Sequence, residues 1–459
     1  MKRLVILLLT LLPALGASDV LSSPGGQLVR QYLDAFNGGE AAMRAFIEKS
    51  PTATPTEERI SRYRHMKADL VSLTPVRVVA EDAGSIEVIV RNAAGEELSL
   101  TAMLSAGAKP QITGLRILYG GDGPPPPPSG PPEDESKVLR EVQDLVAQKA
   151  KDGKFSGTVL IARGTDVVWQ GAYGFANAET RTPNQADTRF DVGSIAKSFT
   201  RVAIGQLLEQ GKLKLTDKVG AFLTDYTNPT VRDQVTIEQL IDMRSGIGDF
   251  FGEKFEKAPK DKIRTLRDYL PFFAPNSLLF APGTQQRYSN GGYIVLGLII
   301  ERITGQSYYD YVEKNIFARA GMKNSAFGFR SSGDPKQAIG YTTKSDSGSD
   351  SPDRRPNLAL MPARGSSAGS AQSTSPDLLI YVQALAAGKL VSKSTLDKLD
   401  IHPDGMGIAG GAPGLNAALD TGIPGAGPAS YSVIVMSNFD PPSAEQLSEE
   451  IRGMLRRAK

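Results

Sequence analysis

The chain has 459 residues, 40% hydrophobic and 22% charged, which is ordinary for a globular protein and long enough for roughly two to four domains. Its formal net charge of +2 gives no electrostatic reason to expect nucleic acid or an acidic surface as a partner. With no cysteine and only two histidines, His65 and His402, the chain is excluded from disulfide and thiolate chemistry, and neither a metal site nor another cofactor is expected.

The N-terminal segment, residues 1–17, has the pattern of a signal peptide. Lys2 and Arg3 precede an apolar run from Leu4 to Leu12, and the small residues Gly16 and Ala17 follow it. The run is too short to span a bilayer, and the rest of the sequence contains no longer one. The pattern predicts a protein exported to the periplasm or secreted, with no stable membrane span after cleavage.

Residues 25–119 are predicted to form a small α+β domain. Two segments with apolar residues at helical spacing, QLVRQYLDAF and AAMRAFIEK, precede four strand-like runs, TPVRVVAED, GSIEVIVRN, EELSLTAML and QITGLRILY. In the order of its elements this segment resembles the NTF2-like domains. Its sequence contains no polar cluster that indicates a site.

A proline-rich linker is predicted at residues 120–136. The five consecutive prolines from Pro124 to Pro128 favour an extended polyproline II segment without a packed core. The linker therefore separates the small domain from the rest of the chain.

Residues 137–459 are predicted to form the larger domain. KVLREVQDLVAQKAKDG reads as an amphipathic helix and SGTVLIARGTDVVWQGAYG as a hairpin, while YSVIVMSNF and SAEQLSEEIRGMLRRAK near the C-terminus read as a strand and a helix. Strands at both ends with mostly helical sequence between them predict an α+β fold. One antiparallel sheet, flanked by helices, would be built from both ends around an inserted helical region.

The stretch DVGSIAKSFT holds the chain's one Ser-x-x-Lys, formed by Ser194 and Lys197. On a helix, this spacing places both side chains on one face, and the free N–H groups of the helix start favour an attacking oxygen. Nucleophilic catalysis would require neutral Lys197, with a pKa several units below its usual value. The alternative is a serine that merely caps a helix.

A second candidate motif is Tyr288-Ser289-Asn290, in a polar loop before the apolar segment from Tyr293 to Ile303. Tyr226-Thr227-Asn228 fits the same Tyr-x-Asn pattern. Only the copy at Tyr288 follows a Pro-Gly turn and leads into a predicted core helix, so it is the better site candidate.

Four segments in order resemble the β-lactamase-related serine hydrolases, from about Phe155 to the C-terminus. They are RFDVGSIAKSFT, QLLEQGKLKLTDKV, APGTQQRYSNGGYIVLGLIIERITG and GIAGGAPGLNAAL. This superfamily includes penicillin-binding proteins, class C β-lactamases, D-stereospecific peptidases and esterases. The resemblance implies the β-lactamase/transpeptidase-like fold for residues 137–459.

The resemblance also implies roles for individual residues. Ser194 would be the acylated nucleophile, Lys197 its base and Tyr288 a second proton-transfer residue. Asn290 would orient the substrate and Lys197. The oxyanion hole would consist of the N–H groups of Ser194 and Gly411, the residue that follows Gly410 at the end of the third motif.

Two positions depart from the family pattern. Ile408 stands where the third motif carries lysine or histidine, and Met243 stands where relatives commonly have histidine. In β-lactamases the lysine or histidine of the third motif helps hold the substrate carboxylate. Losing that charge-assisted hydrogen bond costs about 1.5–3 kcal/mol, so anionic β-lactams are expected to be poor substrates. His402 is expected to be a surface residue, the alternative being that it folds back toward the site. The segment 331–369 reads as a mobile surface loop or as an insertion bordering the pocket.

Together these features predict an exported serine hydrolase that acts on ester or amide bonds of a small-molecule or peptide substrate. Esterase or peptidase activity is expected before β-lactamase or D,D-peptidase activity. One alternative is a catalytically weak or inactive binding protein on the same scaffold. The other is that the small N-terminal domain carries the function by binding a ligand or partner.

Overall fold

The computed structural model describes residues 21–49, 59–60, 63, 66–67, 70–82, 84–93, 97–105, 110–119, 133–330, 334–344, 350–423 and 430–458. The chain divides into two compact units, residues 1–129 and 130–459. No helix within the described ranges combines the length and apolar character needed to cross a membrane. The predicted signal peptide, the proline run and His65 lie outside the described residues.

The first unit has helices and one four-stranded antiparallel sheet whose strand order follows the chain. Its elements are α1 (Pro24–Asn37), α2 (Glu40–Glu48), β1 (Leu73–Glu81), β2 (Ser85–Asn92), β3 (Glu97–Leu104) and β4 (Ile112–Tyr119). Apolar side chains from both helices and from the sheet, such as Phe36 and Val88, form one core. The order of helices and strands agrees with the sequence analysis, and the likeness to NTF2-like domains stays a prediction.

The second unit is built around a five-stranded antiparallel sheet. In spatial order its strands are β13 (Gly407–Ala412), β14 (Leu415–Ile423), β15 (Tyr431–Ser437), β5 (Gly157–Arg163) and β6 (Asp166–Tyr173). The two ends of the domain meet where β15 pairs with β5, with Tyr431 opposite Arg163. The prediction of one sheet built from both ends is confirmed.

The three central strands, β14, β15 and β5, are buried on both faces, which explains their nearly continuous apolar runs. Successive side chains point to opposite faces, so Leu160 and Ile434 enter the core of the helical region while Ile161 and Val433 enter a second core. That second core is covered by α3 (Glu135–Lys151) and α14 (Ser443–Leu455).

The inserted region between β6 and β13 is mainly helical. Its helices are α4 (Ala196–Glu209), α5 (Pro229–Gln234), α6 (Ile237–Ile241), α7 (Glu253–Lys257), α8 (Leu270–Phe273), α9 (Asn290–Thr304), α10 (Tyr308–Val312), α11 (Ala318–Ala320), α12 (Ser375–Ala386) and α13 (Lys393–Lys398). Its short strands are β7 (Phe175–Asn177), β8 (Thr182–Pro183), β9 (Phe190–Asp191), β10 (Tyr341–Lys344), β11 (Asp350–Pro356) and β12 (Gln372–Ser373). The predicted α+β class with an inserted helical region is therefore confirmed.

Candidate active site

Ser194 lies on a single 3-10 turn, Gly193–Ile195, that leads directly into α4. The sequence analysis placed Ser194 on the first turn of the helix, whereas the α-helix begins at Ala196. Neither the turn nor α4 has a side-chain cap, so the interpretation of Ser194 as a capping residue is wrong. Its hydroxyl instead contacts Lys197 and Tyr288.

Lys197 lies one helical turn beyond the serine and is almost fully buried, with 5% of its surface exposed. Its Nζ lies 3.1 Å from Ser194 Oγ and 2.7 Å from Asn290 Oδ1, and it also donates to the carbonyl of Ala368. When the amine is neutral, it has a lone pair that can accept the serine proton while its two N–H groups serve the other two oxygens.

The buried position of Lys197 shifts its protonation into the neutral pH range. Burial lowers the pKa of Lys197 to about 7, although the carboxylate of Asp249 acts in the opposite direction. The Nζ also lies 4.7 Å from the centre of the Tyr288 ring and 5.5 Å from that of Tyr293, contacts that favour the ammonium form. A large fraction of neutral amine at neutral pH is what a general base requires.

Tyr288 donates a hydrogen bond of 2.6 Å to Ser194 Oγ. Burial of its hydroxyl raises the pKa of Tyr288 to about 12, and the Ser194 hydrogen bond lowers it only in part. The phenol therefore stays protonated at neutral pH and can act as a proton donor. About half of the side chain, 51%, is exposed.

The other Tyr-x-Asn copy has a structural role. Tyr226 packs in the helical core, and the side chain of Asn228 caps α5 by accepting the N–H groups of Thr230 and Val231. The preference for the copy at Tyr288 therefore agrees with the geometry, which brings Tyr288 and Asn290 to Ser194 and Lys197.

Asp249 is a polar residue of the site that the sequence analysis missed. Asn290 Nδ2 donates to Asp249 Oδ2 at 2.7 Å, and this bond turns the amide so that its oxygen faces Lys197. Asp249 follows the Gly-rich SGIG turn, 41 residues before Asn290. No spacing rule connects positions so far apart, so only the fold brings them together.

The turn of Ser194 and the edge strand β13 approach closely enough to require glycine. Gly193 has a φ of +50°, and a Cβ there would lie 2.8 Å from the nitrogen of Gly411. A Cβ on Gly410 would lie 2.6 Å from the nitrogen of Ser194. Any larger side chain would push the strand away from the nucleophile.

The geometry also directs one N–H group of β13 toward this gap. The Gly410 carbonyl accepts a hydrogen bond from Asn416 Nδ2 on the neighbouring strand. In a trans peptide the N–H of the next residue points the opposite way, so the Gly411 N–H points away from β14. Together with the Ser194 N–H it can form the oxyanion hole that the family resemblance implies.

Ile408 points to the opposite side of β13 from Ala409 and Gly411. Its side chain packs against the helical core, while Ala409 and Gly411 line the cavity in front of Ser194. At the position where the family pattern has lysine or histidine, Ile408 thus packs against apolar side chains of the helical core. The strand keeps its place without that polar group.

Ser194 opens into a cavity of about 1000 Å³. Tyr288, Asn290 and Gly411 also line it, and so do residues 359–362 and Ala368. The described part of segment 331–369 therefore includes a wall of this cavity and the carbonyl that holds Lys197, which agrees with the interpretation of this segment as an insertion bordering the pocket.

His402 and Met243, the remaining candidates from the sequence, do not line the cavity of Ser194. His402 is exposed and contacts Asp400, at 3.0 Å, which agrees with the surface interpretation. Met243 contributes through its backbone, since its carbonyl accepts the N–H of Arg287, the residue before Tyr288. Among the described residues, no group of three or more histidine, cysteine, aspartate or glutamate side chains is arranged to hold a metal ion.

The family model described as Beta-lactamase matches residues 142–443. Penicillin-binding protein 4* of Bacillus subtilis is 32% identical over 188 residues, 40% of this chain and 41% of that protein. The putative penicillin-binding protein PbpX of the same organism is 28% identical over 267 residues, 58% of this chain and 64% of that protein. The matches thus leave more than a third of each relative uncovered.

Solved structures agree with this assignment. The penicillin-binding protein of Bacillus halodurans superposes with a TM-score of 0.57 at 29% identity, covering 65% of this chain and 96% of that one. Because the family model covers more than half of the sequence and includes every residue of the site described above, the chain belongs to the beta-lactamase family.

Proposed function

We propose that the protein is an exported serine hydrolase that forms an acyl-enzyme on Ser194. One observation carries the proposal: Ser194 Oγ is held between Lys197 Nζ at 3.1 Å and Tyr288 OH at 2.6 Å. A hydroxyl that contacts both a potential base and a potential acid is the arrangement that nucleophilic catalysis needs. Export is proposed from the signal-peptide pattern of residues 1–17.

The residues act in sequence. Neutral Lys197 takes the proton of Ser194 as Oγ attacks the carbonyl of an ester or amide, and the N–H groups of Ser194 and Gly411 bind the oxyanion. As the bond to the leaving group breaks, Tyr288 donates its hydroxyl proton to the leaving alcohol or amine and regains a proton from Lys197, which becomes neutral again. A water molecule then gives a proton to Lys197 as its oxygen attacks the acyl carbonyl. The bond to Oγ breaks, the acid is released, and Oγ takes the proton back from Lys197.

We further propose an esterase or peptidase in preference to a β-lactamase or D,D-peptidase. Ile408 packs into the core and supplies no charge to hold a substrate carboxylate. The same observation favours the second candidate, a binding protein on the hydrolase scaffold. The complete set of Ser194, Lys197, Tyr288 and Asn290 favours the enzyme.

Intact-protein mass spectrometry after incubation with a fluorophosphonate tests the proposal. One adduct on the wild type and none on Ser194→Ala is the expected result. A wild type that stays unmodified would contradict the assignment and support the binding protein. Penicillin is the second probe, and we expect a slower reaction with it than with the fluorophosphonate. Fast and complete acylation by penicillin would overturn the preference for an esterase or peptidase.

A further inference from the structure

One wall of the cavity beside Ser194 is aromatic. Phe250, Phe251 and Phe255 line it, and Tyr269 lies with them. The ring of Phe251 lies 4.5 Å from that of Phe250 and 5.3 Å from that of Phe255, and the ring of Phe250 lies 4.8 Å from that of Tyr269. Rings at these separations attract one another and form a stiff surface.

Phe251 is the exposed member of this group. Its side chain is 56% exposed, whereas Phe250 and Phe255 are 7% and 3% exposed. Because this large ring is exposed to water within a cavity, a ligand that covers it removes apolar surface from water, which favours binding. Leu360, Met361 and Pro362 add further apolar surface to the cavity.

The described cations that line the cavity are Lys260, Arg330, Lys344 and Arg364, and each has a partner within the chain. Arg330 pairs with Asp191, and Lys260 Nζ donates to the carbonyls of Phe255, Glu256 and Ala258. The guanidinium of Arg364 lies 3.7 Å from the centre of the Tyr309 ring. With Ile408 turned into the core as well, the wall is better suited to an uncharged group than to a carboxylate.

The aromatic wall is tied to the catalytic network through Asp249. One carboxylate oxygen of Asp249 accepts from Asn290 and the other accepts the N–H of Phe251, at 3.1 Å. A group that packs on Phe251 therefore lies in the cavity of Ser194, beside the segment that orients Asn290. Binding energy gained there can position the scissile carbonyl for attack.

We propose that Phe251 is a specificity-determining residue whose wall binds an uncharged alkyl or aromatic group. The substrates would then be apolar esters or amides. This inference rests on the acyl-enzyme function proposed above and adds the class of substrate to it.

Two matched ester pairs test the inference, each differing in one chain. Vinyl acetate and vinyl hexanoate differ in the acyl group, and ethyl acetate and hexyl acetate differ in the leaving group. The acid released is titrated at constant pH with the full chain. We expect kcat/KM for the longer ester of at least one pair to exceed that of its partner about tenfold, and Phe251→Ala to remove most of this preference.

The controls separate loss of the wall from loss of the fold. Phe175→Ala removes an equally simple ring, 42% exposed and outside the cavity, and should keep the preference. Phe251→Leu should retain part of it, and the Tm of each variant reports its folding.

Three outcomes overturn the inference while leaving the proposed function intact. They are equal rates within both pairs, a preference that survives in Phe251→Ala, and hydrolysis of none of the four esters by a chain that takes the fluorophosphonate. A chain that takes no fluorophosphonate fails at the earlier step and overturns the proposed function itself.

Discussion

Lys197 is the residue whose charge state should control the pH dependence of acylation. With a pKa of about 7, the fraction of Lys197 in the neutral form falls about tenfold for each pH unit below that value. Above about pH 8, nearly all of the amine is neutral. The rate of fluorophosphonate labelling should therefore rise with pH and level off, with a midpoint near 7. Tyr288, with a pKa of about 12, does not titrate in this range.

Labelling rates measured from about pH 5 to about pH 9 check this prediction. A labelling rate that still rises about tenfold per pH unit at pH 9, as the ordinary lysine pKa of about 10 would give, would mean that the buried amine stays charged at neutral pH. In that case another group would have to accept the proton of Ser194.

Asp249→Asn should move this midpoint to lower pH. The Asp249 carboxylate raises the pKa of Lys197, so removal of its charge lowers that pKa and leaves more neutral amine in acid. The new amide oxygen can still accept the hydrogen bond of Asn290, which keeps that amide turned toward Lys197, while the N–H of Phe251 loses its acceptor.

The matched control is Asp249→Ala, which removes the hydrogen bond as well as the charge. This variant should be slower than Asp249→Asn at every pH because the Asn290 amide loses the partner that orients it. Labelling profiles of the two variants beside the wild type separate charge from orientation. An Asp249→Asn midpoint at or above that of the wild type contradicts the role given to the carboxylate.

Sequence information sufficed for some residues of the site and failed for others. Ser194 and Lys197 are one helical turn apart, and that spacing alone predicts a contact. The Pro-Gly turn and the core helix favoured Tyr288 over the Tyr226 copy, but only the family resemblance placed Tyr288 and Asn290 beside Ser194. Asp249 was not predicted because its hydrogen bond with Asn290 joins residues 41 positions apart, and no local pattern indicates it.

At the scale of elements, an ion pair holds the turn of Ser194 in place. Asp191, at the end of β9, accepts the N–H of Gly193 at 2.9 Å and pairs with Arg330; both side chains are only 9% exposed. Arg330 Nε in turn donates to the carbonyl of Pro362 at 2.9 Å. Three segments separated in sequence are thus joined beneath the nucleophile.

Arg330→Met should destabilise the second unit by about 3–5 kcal/mol, because Asp191 would be left as an unpaired buried charge. The expected effect is a fall in Tm of several degrees. The double variant Asp191→Asn with Arg330→Met should recover much of this loss, because it removes both charges and leaves an amide oxygen for Gly193.

Thermal unfolding followed by circular dichroism checks this prediction, with Lys257→Met as the control. Lys257 pairs with Glu253 on the surface, where the two side chains are 74% and 79% exposed. Loss of this exposed pair in Lys257→Met should therefore change Tm little. Equal effects of the buried and the exposed substitutions would show that the Asp191 pair does not hold the turn.

The elements themselves were largely predictable, and the turn of Ser194 was not. Alternating and continuous apolar runs identified the strands and the long helices because burial sets their pattern. The 3-10 turn and the positive φ of Gly193 depend on the approach of β13 more than 200 residues later in the chain. A local sequence pattern cannot predict a contact between segments so far apart in the chain.

At the scale of the whole molecule, the site belongs to one unit. Ser194, Tyr288, Ala368 and Gly411 come from distant parts of the chain, and all lie within residues 130–459. Sequence reasoning could join them only through the family resemblance, since contacts over such distances follow from topology. The first unit has its own core and supplies none of the described residues of this cavity.

Residues 130–459 alone should therefore be labelled by the fluorophosphonate at a rate within about twofold of the full chain, since every group described here as acting on Ser194 lies in this segment. The rates are compared by intact mass, with Ser194→Ala in both lengths as the control. A truncated chain that folds with an unchanged Tm yet reacts about tenfold more slowly would contradict this independence. It would mean that the first unit contributes to the reaction.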